Sequence, residues 1–100
     1  GKQVAVLDKG PVAGGMAQAT SAHTTNMPDD RYFEVEKLHG REGARLAADS
    51  HTAAIDRIET TVRQERIDCD FTRLDGYLYL ADGDRRETLE RELDAARARR

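Results

Sequence analysis

One helical stripe constrains the fold of this chain more than any other sequence feature. Between residues 41 and 65, small and branched apolar residues recur at spacings of three and four. The stripe consists of Ala44, Ala47, Ala48, His51, Ala54, Ile55, Ile58 and Val62. Residues at this spacing lie on one face of an α-helix, so the pattern predicts an amphipathic helix with a buried face. The place of His51 on that face favours a buried, hydrogen-bonded histidine over a metal ligand.

Shorter helices are expected on both sides of the stripe. Asp29-Asp30 offers an N-cap for a helix that ends at Gly40. Further along, Asp84 and Glu87 have the spacing of a capping box ahead of a final helix. Together with the stripe, these signals predict three helices, of which the first and the last have a local acidic cap.

On the long helix, two oppositely charged pairs stand four residues apart. They are Arg45 with Asp49 and Glu59 with Arg63. This spacing predicts ion pairs on the solvated faces of the helix.

Two other segments have the composition of β-strands. Val4-Ala5-Val6-Leu7 is an unbroken apolar run, which is typical of a strand covered on both faces in a parallel sheet. Residues 71–80 place Asp75-Gly76 between two runs of aromatic and branched residues, which predicts a β-hairpin. The predicted fold class is therefore α/β, with one strand and its loop followed by helices, a hairpin and a C-terminal helix.

Composition limits the partners and the compartment. The chain has 100 residues, of which 35% are charged, and a formal net charge of −3. No basic stripe with interleaved aromatic residues is present, so nucleic acid is not expected as a partner. Cys69 is the sole cysteine, which excludes an internal disulfide and favours a reducing compartment. No apolar run is long enough to cross a bilayer, so no membrane partner is expected and the predicted location is the cytoplasm.

The loop that follows the first predicted strand is long and rich in small residues. In a dinucleotide-binding unit, a carboxylate at the end of the second strand binds the adenosine ribose, and Asp8 stands in that position. The glycine-rich fingerprint expected about twenty residues earlier is absent from this sequence. A flexible linker is the alternative interpretation of residues 9–30.

The loop and the downstream sequence together resemble a known family. Residues 8–16 and 20–25 resemble the second FAD-contact segment of the D-amino-acid oxidase-like flavoproteins. The resemblance is closest to a bacterial and archaeal branch whose members often carry a C-terminal Rieske iron–sulfur domain. It extends through residues 29–32, 38–40, 50–55 and 75–80.

This resemblance implies an internal fragment of an FAD-dependent oxidoreductase that oxidises a carbon–nitrogen bond of an amine or amino acid. Hydride would pass to the flavin, and the fragment alone would be inactive. Asp8 would bind the adenosine ribose, and Gly14 and Gly15 would let backbone N–H groups approach the pyrophosphate. The full set of implied cofactor-binding residues is Asp8, Lys9, Gly14, Gly15, Met16, Thr20, Ser21, Ala22 and His23.

The same resemblance divides the chain at residue 30. Residues 1–30 would be a partial FAD-binding segment, and residues 31–100 would lead into the substrate domain. A 2Fe–2S cluster would lie in a domain outside this chain, and no metal site is expected within it. Residues 4–7 would expose a strand edge, which predicts self-association.

Two other interpretations stay open at this point. One is a stand-alone helical protein-interaction module with a flexible N-terminal tail. The other is a small NAD- or nucleotide-binding protein, which shares the argument from Asp8 but leaves the loop unexplained.

Overall fold

The fold, taken from a computed structural model that describes residues 1–98, consists of helices joined by long stretches without regular secondary structure. Helix α1 covers Met16–Ala19, helix α2 covers Tyr32–Glu65 and helix α3 covers Arg86–Arg97. Residues 1–98 form no β-strand. The predicted α/β class, with a partial Rossmann-like strand and a hairpin, is therefore wrong.

The two segments predicted as strands are coil, and we call residues 1–8 and 71–80 the coil segments. Leu7 is 95% exposed. The backbone segments on either side of Asp75-Gly76 form no strand pairing within the described residues. A strand needs a neighbouring strand to satisfy its backbone N–H and C=O groups. Strand-like composition is therefore insufficient here, because the described chain provides no neighbour.

Helix α2 consists of two helical parts that meet at Gly40. The backbone of Gly40 has φ 71° and ψ 171°, which is not helical and which disfavours any residue with a Cβ atom. Gly43 is also confined, since a Cβ atom there would lie 2.6 Å from Cβ of His39. The predicted end of one helix at Gly40 and the start of the next at residue 41 are confirmed as this kink.

The core lies between the first half of α2 and α3. Its buried side chains are Tyr32, Ala44, Ala48 and Ala95, together with the charged Glu92. Alanines at a helix contact let two helices approach closely, because no larger side chain separates their backbones. Tyr32 is the one large side chain of this core, with Met27 and Phe33 packed against it.

The apolar stripe of α2 is buried only in part. Ala44 and Ala48 are buried as predicted, but His51 and Ala54 are exposed, so the buried histidine is a wrong prediction. Helix α3 has 12 residues and α2 has 34, which correspond to lengths of about 18 and 51 Å. Because α3 is so short, it covers the stripe only at one end.

A large area of surface is left uncovered. The accessible surface is 9156 Å² for an 11.2 kDa chain, whereas a folded monomer of this mass exposes about 5,700 Å². The Cα radius of gyration is 17.7 Å, compared with about 13 Å for a compact domain of this length.

No helix among residues 1–98 is long and apolar enough to span a membrane.

Candidate functional site

The N-terminus of α2 is capped from α3, by a residue distant in sequence. Oε1 of Glu92 accepts the backbone N–H of Tyr32 at 3.0 Å, and Oε2 accepts that of Phe33 at 3.2 Å. Glu92 is only 3% exposed. Its carboxylate therefore satisfies two of the N–H groups that an α-helix leaves without an internal partner at its start.

The predicted local caps are wrong at both helices. Helix α2 follows Arg31, and α3 follows Arg85, and neither residue makes a side-chain capping bond. The carboxylate of Asp84 instead accepts the backbone N–H of Ala81 at 3.2 Å. At α2, Glu92 takes the position that Asp29-Asp30 was expected to fill, because packing of α3 brings its carboxylate to that end.

A chain of polar contacts connects the capped end of α2 to the preceding loop. The Tyr32 hydroxyl donates to the backbone carbonyl of Asn26. The Asn26 side-chain amide donates to Oγ1 of Thr52 at 3.2 Å, and that hydroxyl donates to the Ala48 carbonyl at 2.9 Å. These bonds hold residue 26 against the middle of α2.

A cation–π contact joins α3 to the start of α2. The Arg91 guanidinium lies 4.2 Å from the centre of the Phe33 ring.

The same loop forms one wall of a groove of about 990 Å³. Ile55, Ile58 and Val62 of α2 supply its apolar floor, and residues 21–27 and 69–76 form its two walls. The floor is the half of the predicted stripe that α3 leaves uncovered. The groove is thus a consequence of the unequal helix lengths, and it can accept an apolar group between polar walls.

Arg73 holds the second wall on the helix. Its Nη2 atom lies 2.5 Å from Oδ1 of Asp56 and 2.7 Å from Oε2 of Glu59. The hydrogen bonds that the Arg73 guanidinium donates to these carboxylates, first to Asp56 and then to Glu59, raise its pKa above the ordinary value. All three side chains reach solvent, so the contact positions the wall with little gain in stability.

The structure divides the predicted cofactor-binding residues into two groups. Ser21, Ala22 and His23 line the groove. The remaining six, Asp8, Lys9, Gly14, Gly15, Met16 and Thr20, are not among the residues that line it. The carboxylate of Asp8 accepts the backbone N–H of Gly10 at 3.1 Å in a local turn. Cofactor binding by these nine residues, and the division of the chain at residue 30, stay predictions.

Sequence reasoning missed Glu92, which is the most buried charged residue. A signal for it is present, because Glu92 follows Leu89 by three residues and precedes Ala96 by four. A charged residue at that spacing lies on the inner face of the helix, where it requires a partner. Neither Asn26 nor Thr52 has a comparable signal, since their contact depends on how the loop folds back.

Comparison with known proteins gives one informative likeness. No protein family profile matches this chain, and no solved structure matches it. The chain is 30% identical over 95 residues to YhfW of Bacillus subtilis (strain 168), a protein named as a Rieske 2Fe–2S iron–sulfur protein. The aligned residues are 95% of this chain but 19% of that protein, so the chain spans about a fifth of the relative's length.

The residues of this chain do not fit a Rieske cluster. Such a cluster takes two cysteine and two histidine ligands. Cys69 is the only cysteine in the sequence, and residues 1–98 contain no group of three or more His, Cys, Asp or Glu side chains that could hold a metal ion. Any cluster associated with this sequence would have to be bound by other residues.

These findings correct the identification made from the sequence. The relative is named for an iron–sulfur cluster rather than a flavin, and the described residues lack the strands of a dinucleotide-binding fold. The predicted membership of the D-amino-acid oxidase-like flavoproteins, and the oxidation of a carbon–nitrogen bond with FAD, are therefore wrong. What is supported is the coarser association of this sequence with a Rieske iron–sulfur protein.

Proposed function

We propose that this chain is a helical docking segment of a longer Rieske-type iron–sulfur protein. The likeness to YhfW extends over nearly the whole chain and over a fifth of that protein, which supports a place within a larger polypeptide. The cluster would be bound by residues outside the segment, because this sequence has one cysteine where two are needed. The redox chemistry would belong to that other part. A reducing, cytoplasmic setting is part of the proposal.

The observation that carries the proposal is the uncovered apolar surface. Val6, Leu7 and Leu74 are each more than four-fifths exposed, and the total surface is far above that of a compact monomer. Large apolar side chains exposed in such number are typical of surfaces that contact another protein surface. A larger polypeptide that covers the coil segments would remove this surface from water.

The side chains of residues 77–80 suit such a contact. Tyr77 and Tyr79 are 84% and 76% exposed, whereas Leu78 and Leu80 are 43% and 42% exposed. The tyrosine side chains are therefore more exposed than the leucine side chains, although all four reach solvent. Tyrosine supplies a large apolar area together with a hydroxyl that can form hydrogen bonds, and it is enriched at protein interfaces.

The proposal is tested on the native protein. An antibody raised against the 100-residue chain should detect a polypeptide about five times longer, as in the relative. The polypeptide that it captures should contain iron and acid-labile sulfide and give a Rieske electron paramagnetic resonance signal after reduction. A native polypeptide of the size of this chain, or one without iron, would refute the proposal.

Hydrogen exchange then tests the docking itself. Amides of residues 4–7 and 77–80 should exchange rapidly in the isolated chain and slowly in the long polypeptide, while those of residues 50–62 should differ little. Equal exchange in both proteins would show that the coil segments are not docked. Light scattering of the isolated chain across a concentration series distinguishes docking from self-association through residues 4–7.

A further inference from the structure

Glu92 of α3 holds the start of α2 through two hydrogen bonds, and we call this contact the latch. The inference drawn from it is independent of the proposed docking role. We propose that Glu92 couples the docking of α3 to the folding of the first part of α2 and, through it, to the position of the groove wall. The first part of α2, residues 32–39, is called the N-terminal arm. The remaining part, residues 41–65, is called the long arm.

The N-terminal arm is separable from the long arm. Gly40 interrupts the helix with a backbone conformation of φ 71° and ψ 171°, so the two arms meet at a kink instead of forming one regular helix. An isolated helix of eight residues is far below the length that is stable in water, since nucleation is costly. The N-terminal arm has one exposed ion pair, Lys37 with Glu34, and therefore depends on contacts outside itself. The long arm has 25 residues and several ion pairs of its own.

Glu92 supplies the contact that replaces a local cap. Both of its carboxylate oxygens accept N–H groups of the first two residues of the arm, at 3.0 and 3.2 Å. The residue at the cap position, Arg31, contributes no side-chain bond. The adjacent contact between Arg91 and Phe33 joins the same two elements. When α3 leaves, the arm loses its cap and its packing at once.

The arm in turn connects to the groove. Tyr32, its first residue, donates through its hydroxyl to the Asn26 carbonyl, and Asn26 bonds to Thr52. Both Asn26 and Thr52 line the groove. Unfolding of the arm therefore frees residue 26 and loosens that wall. The element with two states is the arm, helical when α3 is docked and coil when it is released.

Amide hydrogen exchange of the 100-residue chain, followed by NMR, tests the latch with Glu92→Ala. Loss of a helix cap should raise exchange at residues 35–39 about tenfold, while residues 50–62 change less than twofold. The resonances of Asn26 and Thr52 should shift with the arm. The matched control is Glu90→Ala on the exposed face of α3, where Glu90 pairs with Arg86, and it should leave residues 35–39 unchanged.

Arg31→Asp in the Glu92→Ala background distinguishes capping from packing. Arg31 already has the extended backbone of a cap residue, with φ −60° and ψ 148°, so an aspartate there can cap the arm locally. Exchange at residues 35–39 should return to within threefold of the original chain.

Three results would overturn the proposal. The first is unchanged exchange at residues 35–39 in Glu92→Ala. The second is an equal rise in amide exchange throughout the long arm. Complete unfolding of Glu92→Ala, and also of the more conservative variant Glu92→Gln, would count as this result. The third is failure of Arg31→Asp to restore protection of the arm.

Discussion

The helical unit formed by α2 and α3 and the two coil segments are built from the same chain but are stabilised differently. The helical unit satisfies its backbone groups within itself and buries mostly alanines around Tyr32. The coil segments contain six valine and leucine residues and two of the three tyrosines, and all eight of these side chains are exposed. Size and hydrophobicity of the side chains therefore do not decide which residues form the core here.

The difference shows what each kind of secondary structure requires. A helix closes its hydrogen bonds between residues four apart, so α2 and α3 need only each other. A strand closes its hydrogen bonds with another strand, which the described residues do not supply. Apolar residues in the coil segments consequently have no surface to pack on within this chain. The proposed docking to a longer polypeptide follows from that imbalance.

The same substitution in both regions gives the largest expected difference. Ala48→Asp places an unpaired charge in the core, where Ala48 is 6% exposed, and should lower the free energy of unfolding by about 3 kcal/mol or more. Val6 lies in a coil segment, so Val6→Asp should change the free energy of unfolding by less than about 0.5 kcal/mol. Urea unfolding followed by circular dichroism at 222 nm measures both. Comparable losses would mean that residues 1–8 belong to the core.

A second matched pair removes one hydroxyl from each region. Tyr32→Phe loses the hydrogen bond to the Asn26 carbonyl and should cost about 1 kcal/mol of the free energy of unfolding. Tyr79→Phe removes a hydroxyl from a side chain that is 76% exposed and should have no measurable effect. The same denaturation experiment applies. If Tyr79→Phe proved the more harmful, the assignment of the core to the helical unit would be incorrect.

The smallest effect of a substitution is expected where the second coil segment contacts α2, and it is measured as a rate of proteolysis. Arg73→Ala removes the ion pairs with Asp56 and Glu59 that hold residues 69–76 on α2. Chymotrypsin should then cleave after Phe71 two- to fivefold faster at low salt. The difference should become smaller near 1 M salt, where the Debye length falls to about 3 Å. Arg45→Ala, which removes pairs confined to α2, is the control and should leave the cleavage rate unchanged.

Interactions between near neighbours were predictable from the sequence. The expected ion pairs of Arg45 with Asp49 and of Arg63 with Glu59 are confirmed, at 2.6 and 2.5 Å. The kink at Gly40 was predictable as well. These features depend on residues within one or two helical turns, so spacing alone is sufficient to indicate them.

Features that depend on distant residues were not predictable in the same way. The cap of α2 comes from Glu92, 60 residues beyond Tyr32, and the exposure of His51 depends on where α3 ends. Of the candidate site, residues 21–23 were named in advance only because the resemblance to a flavoprotein family implied a cofactor contact there. The opposite wall of the groove, residues 69–76, was not predicted, because the contact of Arg73 with α2 determines its position. The predicted strands failed for the related reason that a strand depends on its neighbour.

The separation between Tyr32 and Glu92 has a consequence for the order of folding. The helical hydrogen bonds of the long arm of α2 join residues four apart, so this arm can form on the microsecond timescale of helix formation. The contact with Glu92 must first close a loop of some 60 residues, and the entropy of that closure is lost before any hydrogen bond is gained. Docking of α3 is therefore the late step, and the N-terminal arm of α2 becomes helical only when that step is complete.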